Sequence, residues 1–224
     1  MKRILAAGTA MLLGMGAAHA APIAVDDFNT LQTTTDITAN GASVSTTSAY
    51  TLGGNPFTRT LKVNQTEHGS ADPRLASKGD IGFGTLKLSN DSQTNSLIDL
   101  TYNIDSLIDD VAGASTLMLE VIFADASRGI GFTIAGFLNG SFVGSQTFTG
   151  PGALTFSLPG LAASGNELRL AFSGGTSFDS TLGPISLEID SDGGGIPVPE
   201  PGALGLLGLG LVTVAFARRR KVAA

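Results

Sequence analysis

Residue types that could perform acid–base, nucleophilic or metal chemistry are scarce in this 224-residue sequence. The absence of cysteine excludes thiol catalysis, cysteine-bound metals and disulfides. The two histidines are His19, in the leader described below, and His68, in the polar segment 67–72. A Ser-His-Asp triad would need His68, but no G-x-S-x-G motif supplies its nucleophile. A single histidine also argues against a catalytic zinc site.

Paired carboxylates at Asp109-Asp110 would suit glycoside hydrolysis. Adjacent acids in a turn are usually solvated, however, and no motif places a second acid pair. The sequence therefore predicts no catalytic residue and a non-enzymatic protein. A surface hydrolase is the less favoured alternative, and it would require Asp, Glu or His68 side chains to converge in a cleft.

The elements that must position any site are predicted to be short strands. Segments 59–66, 84–89, 97–104, 154–158, 168–172 and 185–189 alternate apolar and polar residues with period two, while 116–123 is apolar enough to predict burial on both faces. Further strands are predicted at 24–31, 41–50, 132–138 and 142–148. Asn139-Gly140 is a favoured type I′ hairpin dipeptide. About ten such strands with frequent Gly and Pro turns predict an all-β fold, a β-sandwich of jelly-roll type.

Aromatic residues that could form a glycan platform are few, since Trp is absent and only Tyr50 and Tyr102 represent Tyr. Tyr102 is in phase with Ile98 and Leu100, which predicts a core position. Tyr50 precedes a Gly-Gly turn and is predicted to be exposed. The twelve Phe residues mostly occupy core-phase positions of strands.

The N-terminus has the features of a secretory signal peptide. Lys2 and Arg3 precede an apolar segment, 4–17, and Ala18-His19-Ala20 forms a small-x-small cleavage site before Ala21. The predicted organisation is a signal peptide at 1–20, an exported domain at 21–190 and a Gly-rich linker at 191–197.

Charge is distributed unevenly between the ends and the middle of the chain. Six of thirteen Lys and Arg lie in the terminal segments, as does one of nineteen acids, Glu200, so residues 21–197 carry a net charge of −11. This charge makes nucleic acid and anionic lipid poor partners. It favours cations, or neutral and cation-bridged polymers.

The C-terminal segment combines three features in fixed order. Val198, Pro199, Glu200 and Pro201 come first, and 202–217 is an uncharged run of 16 residues. As a helix this run would be ~24 Å long, so a transmembrane helix is predicted there. The basic cluster that follows favours a cytoplasmic C-terminus, and it consists of Arg218, Arg219, Arg220 and Lys221.

This order resembles the PEP-CTERM sorting signal of Gram-negative bacteria, over residues 198–221. The resemblance implies recognition by an exosortase and export through the inner membrane, with membrane anchoring before sorting. It further implies a final position at the cell surface or in the extracellular matrix, associated with exopolysaccharide or biofilm.

The stretch 172–188, FSGGTSFDSTLGPISLE, resembles the closing strands of carbohydrate-binding jelly-roll modules. In many such modules the first and last strands lie side by side and acids at their ends share a structural calcium. The resemblance implies a calcium site formed by Asp26, Asp27, Asp179 and Asp190, all of which supply hard oxygen ligands. The alternative is that these acids keep an edge strand soluble.

Two main hypotheses follow. The first is a non-enzymatic surface or matrix protein sorted by exosortase. The second is a lectin-like module that binds polysaccharide with the help of calcium through the jelly-roll loops, and exposed aromatic residues or Asn/Asp clusters on one face would favour it.

Overall fold

The computed structural model of the chain describes residues 22–38, 42–68, 76–91, 93–107, 111, 115–125 and 131–189. These residues form thirteen β-strands and one short 3₁₀ helix, Asp105–Leu107. The strands are β1 (Ile23–Asp26), β2 (Gln32–Asp36), β3 (Val44–Leu52), β4 (Asn55–His68), β5 (Ser77–Gly82), β6 (Thr85–Asn90), β7 (Thr94–Asn103), β8 (Ser115–Asp125), β9 (Phe132–Leu138), β10 (Ser141–Phe148), β11 (Gly152–Leu158), β12 (Glu167–Ser173) and β13 (Asp179–Ile189).

The strands form two antiparallel sheets. One sheet has seven strands in the order β11-β8-β13-β6-β5-β2, with β1 also paired to β13. The other has six strands in the order β10-β9-β12-β7-β4-β3. The prediction of an all-β sandwich is confirmed, and the first and last strands do lie side by side.

The core lies between the two sheets and is built from the alternate residues of each strand. Leu100, Tyr102 and Leu170 are fully buried from the six-stranded sheet, and Leu86 and Leu182 from the seven-stranded one. Each fully buried side chain of this size contributes about 1.5–3 kcal/mol. The prediction that Tyr102 is in the core is confirmed.

Two strands have no counterpart in the sequence prediction, and both carry polar residues on their inner face. In β2 the buried positions are Gln32, Thr34 and Asp36. In β5 they include Ser77 and Gly79, and a Cβ on Gly79 would lie 3.0 Å from Leu61 of the opposite sheet. A larger residue at position 79 would therefore require the Leu61 side chain to shift, because the two sheets approach each other closely here.

The prediction that segment 116–123 is buried on both faces is wrong. In β8, Glu120, Ile122 and Phe123 are exposed, so the strand has one solvent-facing side. The pairing of β13 with β8 is irregular near this point, between Thr181 and Leu182, which places Ile122 and Phe123 outside the regular alternation.

The predicted membrane helix at 202–217 and the signal peptide at 1–20 lie outside the described residues. Within the part of the chain that the structure describes, no helix has the length and apolar character to cross a membrane.

Two hairpins have the same turn geometry and different turn residues. Asn139 and Gly140 have φ angles of 52° and 76°, which confirms the predicted type I′ turn. Phe83 and Gly84 have φ angles of 53° and 79° in the turn between β5 and β6. Phe83 is 93% exposed, so its left-handed conformation is not offset by packing within the chain.

We expect Phe83→Asn to stabilise the protein, because Asn adopts the left-handed conformation more readily than Phe. Removing a strain of about 1 kcal/mol should raise the Tm by roughly 2–4 °C in a domain of this size. The matched control is Phe142→Asn, which removes an exposed Phe from strand β10 rather than from a turn with positive φ and should give no increase. An unchanged or lower Tm for Phe83→Asn would show that the turn is unstrained.

Candidate functional site

Asp26, the first of the predicted calcium ligands, lies in the core rather than at the surface. Its Oδ2 atom accepts hydrogen bonds from Arg59 Nη1 at 2.6 Å and from the Tyr102 hydroxyl at 2.8 Å, and its Oδ1 atom accepts one from the backbone N of Phe28 at 2.8 Å. Asp26 and Arg59 are both fully buried. The Arg59 guanidinium already neutralises the carboxylate and would repel a second cation beside it, so Asp26 is not available as a calcium ligand.

Arg59 is the centre of this network. Its Nε donates to Gln32 Oε1 at 2.7 Å and its Nη2 donates to the backbone O of Thr30 at 2.6 Å. The guanidinium also lies 5.2 Å from the ring centroid of Tyr50. Arg59 belongs to one sheet and Asp26 to the other, so the pair links the two layers.

The pKa values in this network follow from burial and charge. Burial raises the pKa of the Asp26 carboxyl above its ordinary value, while the charge and hydrogen bond of Arg59 act to lower it. Burial and the nearby Asp26 carboxylate raise the pKa of the Tyr102 hydroxyl. Tyr102 therefore stays protonated and acts as a donor.

The prediction that Tyr50 is exposed is wrong. Its ring stacks on Phe57 at a centroid distance of 5.4 Å, and its hydroxyl donates to the backbone O of Val25 at 2.7 Å. Tyr50 therefore faces the interior between β3 and β1 and is not a platform for a ligand.

The remaining predicted calcium ligands are not brought to one place with Asp26. Asp27 Oδ1 and Oδ2 accept hydrogen bonds from the N and Nδ2 of Asn29. Asp26 pairs with Ile185 of β13. Asp179 is the first residue of β13, six positions before Ile185, which places it roughly 20 Å along the strand from Asp26. Asp190 lies outside the described residues. The first three acids therefore do not fit a single shared calcium ion.

His68 is the last residue of β4, and Asp109-Asp110 lies outside the described residues. Among the residues with a described placement, no group of three or more His, Cys, Asp or Glu is arranged to hold a metal ion.

We expect Asp26→Asn to destabilise the fold, because it leaves the Arg59 cation buried without a counter-charge. The free energy of unfolding should fall by about 3–5 kcal/mol, measured by denaturant titration. Adding Arg59→Met should recover part of the loss by removing the unpaired charge. Asp27→Asn, at the next position, is the control and should cost far less. A loss below about 1 kcal/mol for Asp26→Asn would contradict the assigned role.

The outer face of the six-stranded sheet carries a continuous row of side chains, here called the aromatic row. Strand pairing aligns one residue from each of the six strands: Phe142, Phe137, Arg169, Thr101, Thr60 and Thr47. Each of them alternates with inward-facing residues of its strand, so all six share the solvent side.

Three members of the aromatic row are in direct contact. The Phe137 and Phe142 rings meet edge to face with centroids 5.7 Å apart, and Phe142 is 61% exposed. The Arg169 guanidinium lies 4.0 Å from the Phe137 ring centroid. Arg169 Nη1 is also 3.5 Å from Asp99 Oδ1 in the neighbouring row. The ring and the carboxylate together orient the guanidinium.

The neighbouring row consists of small or polar residues, and strand pairing gives their order as Ser145, Ala135, Ala171, Asp99, Lys62 and Ser45. The two alanines lie beside Phe137 and Arg169, and their short side chains leave a shallow depression next to these two larger residues. The two rows together present an apolar aromatic area, one carboxylate, two cations and several hydroxyls. Such a surface can stack against an apolar ring face and hydrogen-bond to polar groups at its edge.

Sequence reasoning did not single out Phe137, Phe142 or Arg169. A signal was present, because in segment 132–138 the residues Phe132, Ile134 and Leu138 share one phase and Phe137 has the other. The alignment of these residues across strands depends on the strand order, which the sequence does not state.

Comparison with known proteins identifies the C-terminal segment. The family model for the PEP-CTERM protein-sorting motif matches residues 197–221. The chain carries a PEP-CTERM sorting motif. The predicted resemblance is confirmed, and the match includes Val198 to Pro201 and the basic cluster Arg218 to Lys221. The PEP-CTERM motif implies export and anchoring in a membrane before sorting. No curated protein matches the chain.

The PEP-CTERM chain has structural similarity to carbohydrate-binding modules. The mannan-recognising module TmCBM27 is 8% identical, with 58% of this chain and 89% of that chain covered and a TM-score of 0.31. TmCBM61, solved with β-1,4-galactotriose, is 10% identical, with 65% and 88% covered and a TM-score of 0.33. A family 29 module from Piromyces equi is 15% identical, with 72% and 94% covered and a TM-score of 0.30. Similarity at this level carries no argument about function.

Proposed function

We propose that this chain is a non-enzymatic protein that an exosortase sorts to the cell surface or extracellular matrix of a Gram-negative bacterium, and that its β-sandwich binds polysaccharide there. The PEP-CTERM motif at 197–221 supports the sorting part of the proposal. The inner membrane holds the chain transiently, through the segment 202–217. The outer face of the six-stranded sheet supports the binding part.

The observation that carries the binding proposal is the contact group formed by Phe142, Phe137, Arg169 and Asp99. The exposed Phe142 ring offers an apolar surface on which the apolar face of a sugar ring can stack. Arg169 and Asp99, each partly exposed, supply a donor and an acceptor for sugar hydroxyls. Because Arg169 is held by both Phe137 and Asp99, little side-chain freedom is lost on binding.

The shape of the surface favours an extended polymer over a single sugar. The aromatic row crosses six strands, which at ~4.8 Å per strand spacing gives a length of ~24 Å. The residues 21–197 are strongly acidic, so a neutral polysaccharide, or an anionic one bridged by cations, is the expected ligand. We propose the exopolysaccharide of the producing organism, in a biofilm matrix, as the natural one.

The same surface is poorly suited to hydrolysis. In the two rows, Asp99 is the single carboxylate, and it is paired with Arg169. Glycoside hydrolysis usually requires two carboxylates, one of them able to hold a proton. This arrangement favours the binding function over the surface hydrolase. The jelly-roll assignment is part of the proposal, supported by the pairing of β1 with β13.

We expect Phe142→Ala to weaken polysaccharide binding roughly tenfold, since it removes the stacking surface. Arg169→Gln should weaken it as well, by removing the charged donor. Binding of the purified chain to the organism's own exopolysaccharide and to neutral glucans and mannans can be measured by affinity electrophoresis.

The matched control is Phe83→Ala, which removes an even more exposed Phe from the other sheet and should leave the affinity unchanged. Repeating the assay with a chelator tests the calcium-assisted form of the hypothesis, which requires affinity to fall when calcium is removed. Binding that is equally insensitive to Phe142→Ala and Arg169→Gln would exclude this surface. No binding to any polysaccharide would leave a surface protein without a carbohydrate ligand.

A further inference from the structure

A layer of buried polar side chains closes one end of the apolar core, at the end of the sandwich where β2 and β6 finish and β5 and β7 begin. Strand pairing aligns three of them in the seven-stranded sheet, and the other two pair in the six-stranded sheet. The members of this polar layer are Asp36, Ser77 and Asn90 from the first sheet and Gln65 and Ser96 from the second. All are at least nine-tenths buried.

Asp36 is the only carboxylate of the polar layer, and its hydrogen-bond donors are uncharged. Its Oδ1 atom accepts from the N and Oγ1 of Thr38 at 2.9 and 3.0 Å, and its Oδ2 atom accepts from the backbone N of Gln65 at 2.9 Å. Among the described residues, Asp36 forms no ion pair. Asp26 is buried to the same extent and has Arg59 as its partner. Buried charges in proteins are generally paired or bound to a metal.

Two neighbours of Asp36 have side-chain oxygen atoms that no described residue hydrogen-bonds. Gln65 and Ser77 are fully buried, and neither the Gln65 side-chain amide nor the Ser77 hydroxyl has a hydrogen-bond partner among the described residues. Ser77 is paired directly opposite Asp36, and Gln65 is already bonded to it through its backbone N. Unpartnered polar atoms buried this deeply are unfavourable unless a ligand satisfies them.

We propose that the polar layer binds one calcium ion between the sheets, through the Asp36 carboxylate, the Gln65 Oε1 and the Ser77 Oγ. Carboxylate, amide and hydroxyl oxygens are hard ligands, and calcium accepts irregular sets of them, completed by backbone carbonyls or water. A water molecule alone would satisfy the amide and hydroxyl but would leave Asp36 without a positive counter-charge among the described residues. The ion would supply the positive counter-charge to Asp36, as Arg59 does to Asp26.

This site uses none of the four acids that the sequence suggested, and it is independent of polysaccharide binding. The polar layer faces the interior, whereas Phe142 and Arg169 face solvent from the six-stranded sheet. With one carboxylate, the affinity is expected to be weak, with a Kd on the order of 10⁻⁴–10⁻³ M as in other extracellular modules.

The test is a thermal unfolding experiment on the full-length chain in detergent, with calcium chloride alone as the probe. At about 10 mM calcium, the Tm should rise by roughly 3–10 °C over the value in chelator. Magnesium should raise it less, because that ion requires a smaller and more regular site. The absence of a calcium-dependent rise in Tm in the unmodified chain would overturn the proposal. Ordered water would then be the group that satisfies the buried polar atoms of the polar layer.

Variants distinguish calcium binding at this site from a general effect of calcium on the negative charge of the domain. Asp36→Asn and Ser77→Ala should each abolish most of the calcium-dependent rise in Tm. Glu120→Gln is the matched control, since it removes one exposed negative charge from the same sheet and should keep the full rise. An equal response in Asp36→Asn and Glu120→Gln would overturn the assignment.

Gln65→Leu gives an independent readout should Asp36→Asn fail to fold. The variant removes two buried polar atoms that lack partners when no ion is bound, so its Tm in chelator should equal or exceed that of the original chain. In calcium it should show no further rise. A full calcium response in Gln65→Leu would exclude the amide oxygen as a ligand and overturn the proposed set.

Discussion

The ion pair between Arg59 and Asp26 is the constraint on which the packing of the two sheets depends. Burying two charges is costly, and the cost is offset only if every polar atom around them is satisfied. Here the carboxylate has three donors, and the guanidinium also binds Gln32 and Thr30. The short strands β1 and β2 are therefore fixed against the six-stranded sheet by directional bonds in addition to apolar contact.

The six-stranded sheet carries one arginine on each of its faces, and the two side chains have different environments. Arg169 is held at the surface with part of its donors open to solvent, while Arg59, on β4 in the same sheet, uses its donors entirely inside. Each arginine belongs to an alternating strand, and the phase of that strand decides whether the side chain lies on the outer face or links the two sheets. Residues on the outer face can therefore be substituted without disturbing the core.

The fold class could be predicted because period-two alternation dominates the later strands, as in 168–172, where Leu168, Leu170 and Phe172 are buried. The strand β2 could not, because its buried face reads Gln, Thr and Asp, which on pattern alone indicates a loop. Arg59 was likewise predicted only as one residue of the alternating segment 59–66, without a structural role. Buried polar residues escape sequence reasoning because their partners lie far along the chain, 27 and 33 positions away for Gln32 and Asp26.

The candidate site was beyond prediction for a related reason, since the contact between Phe137 and Arg169 joins strands that are neighbours only in the folded sheet. The position of β13 has a further consequence for how the protein is made. This last strand pairs with β8, β6 and β1, so it lies inside its sheet rather than at an edge. Its partners β1, β6 and β8 all precede it in the chain, so they wait for β13 before the seven-stranded sheet can close. The sheet is therefore completed only when residues up to 189 are available to pair, whatever order the earlier strands form in.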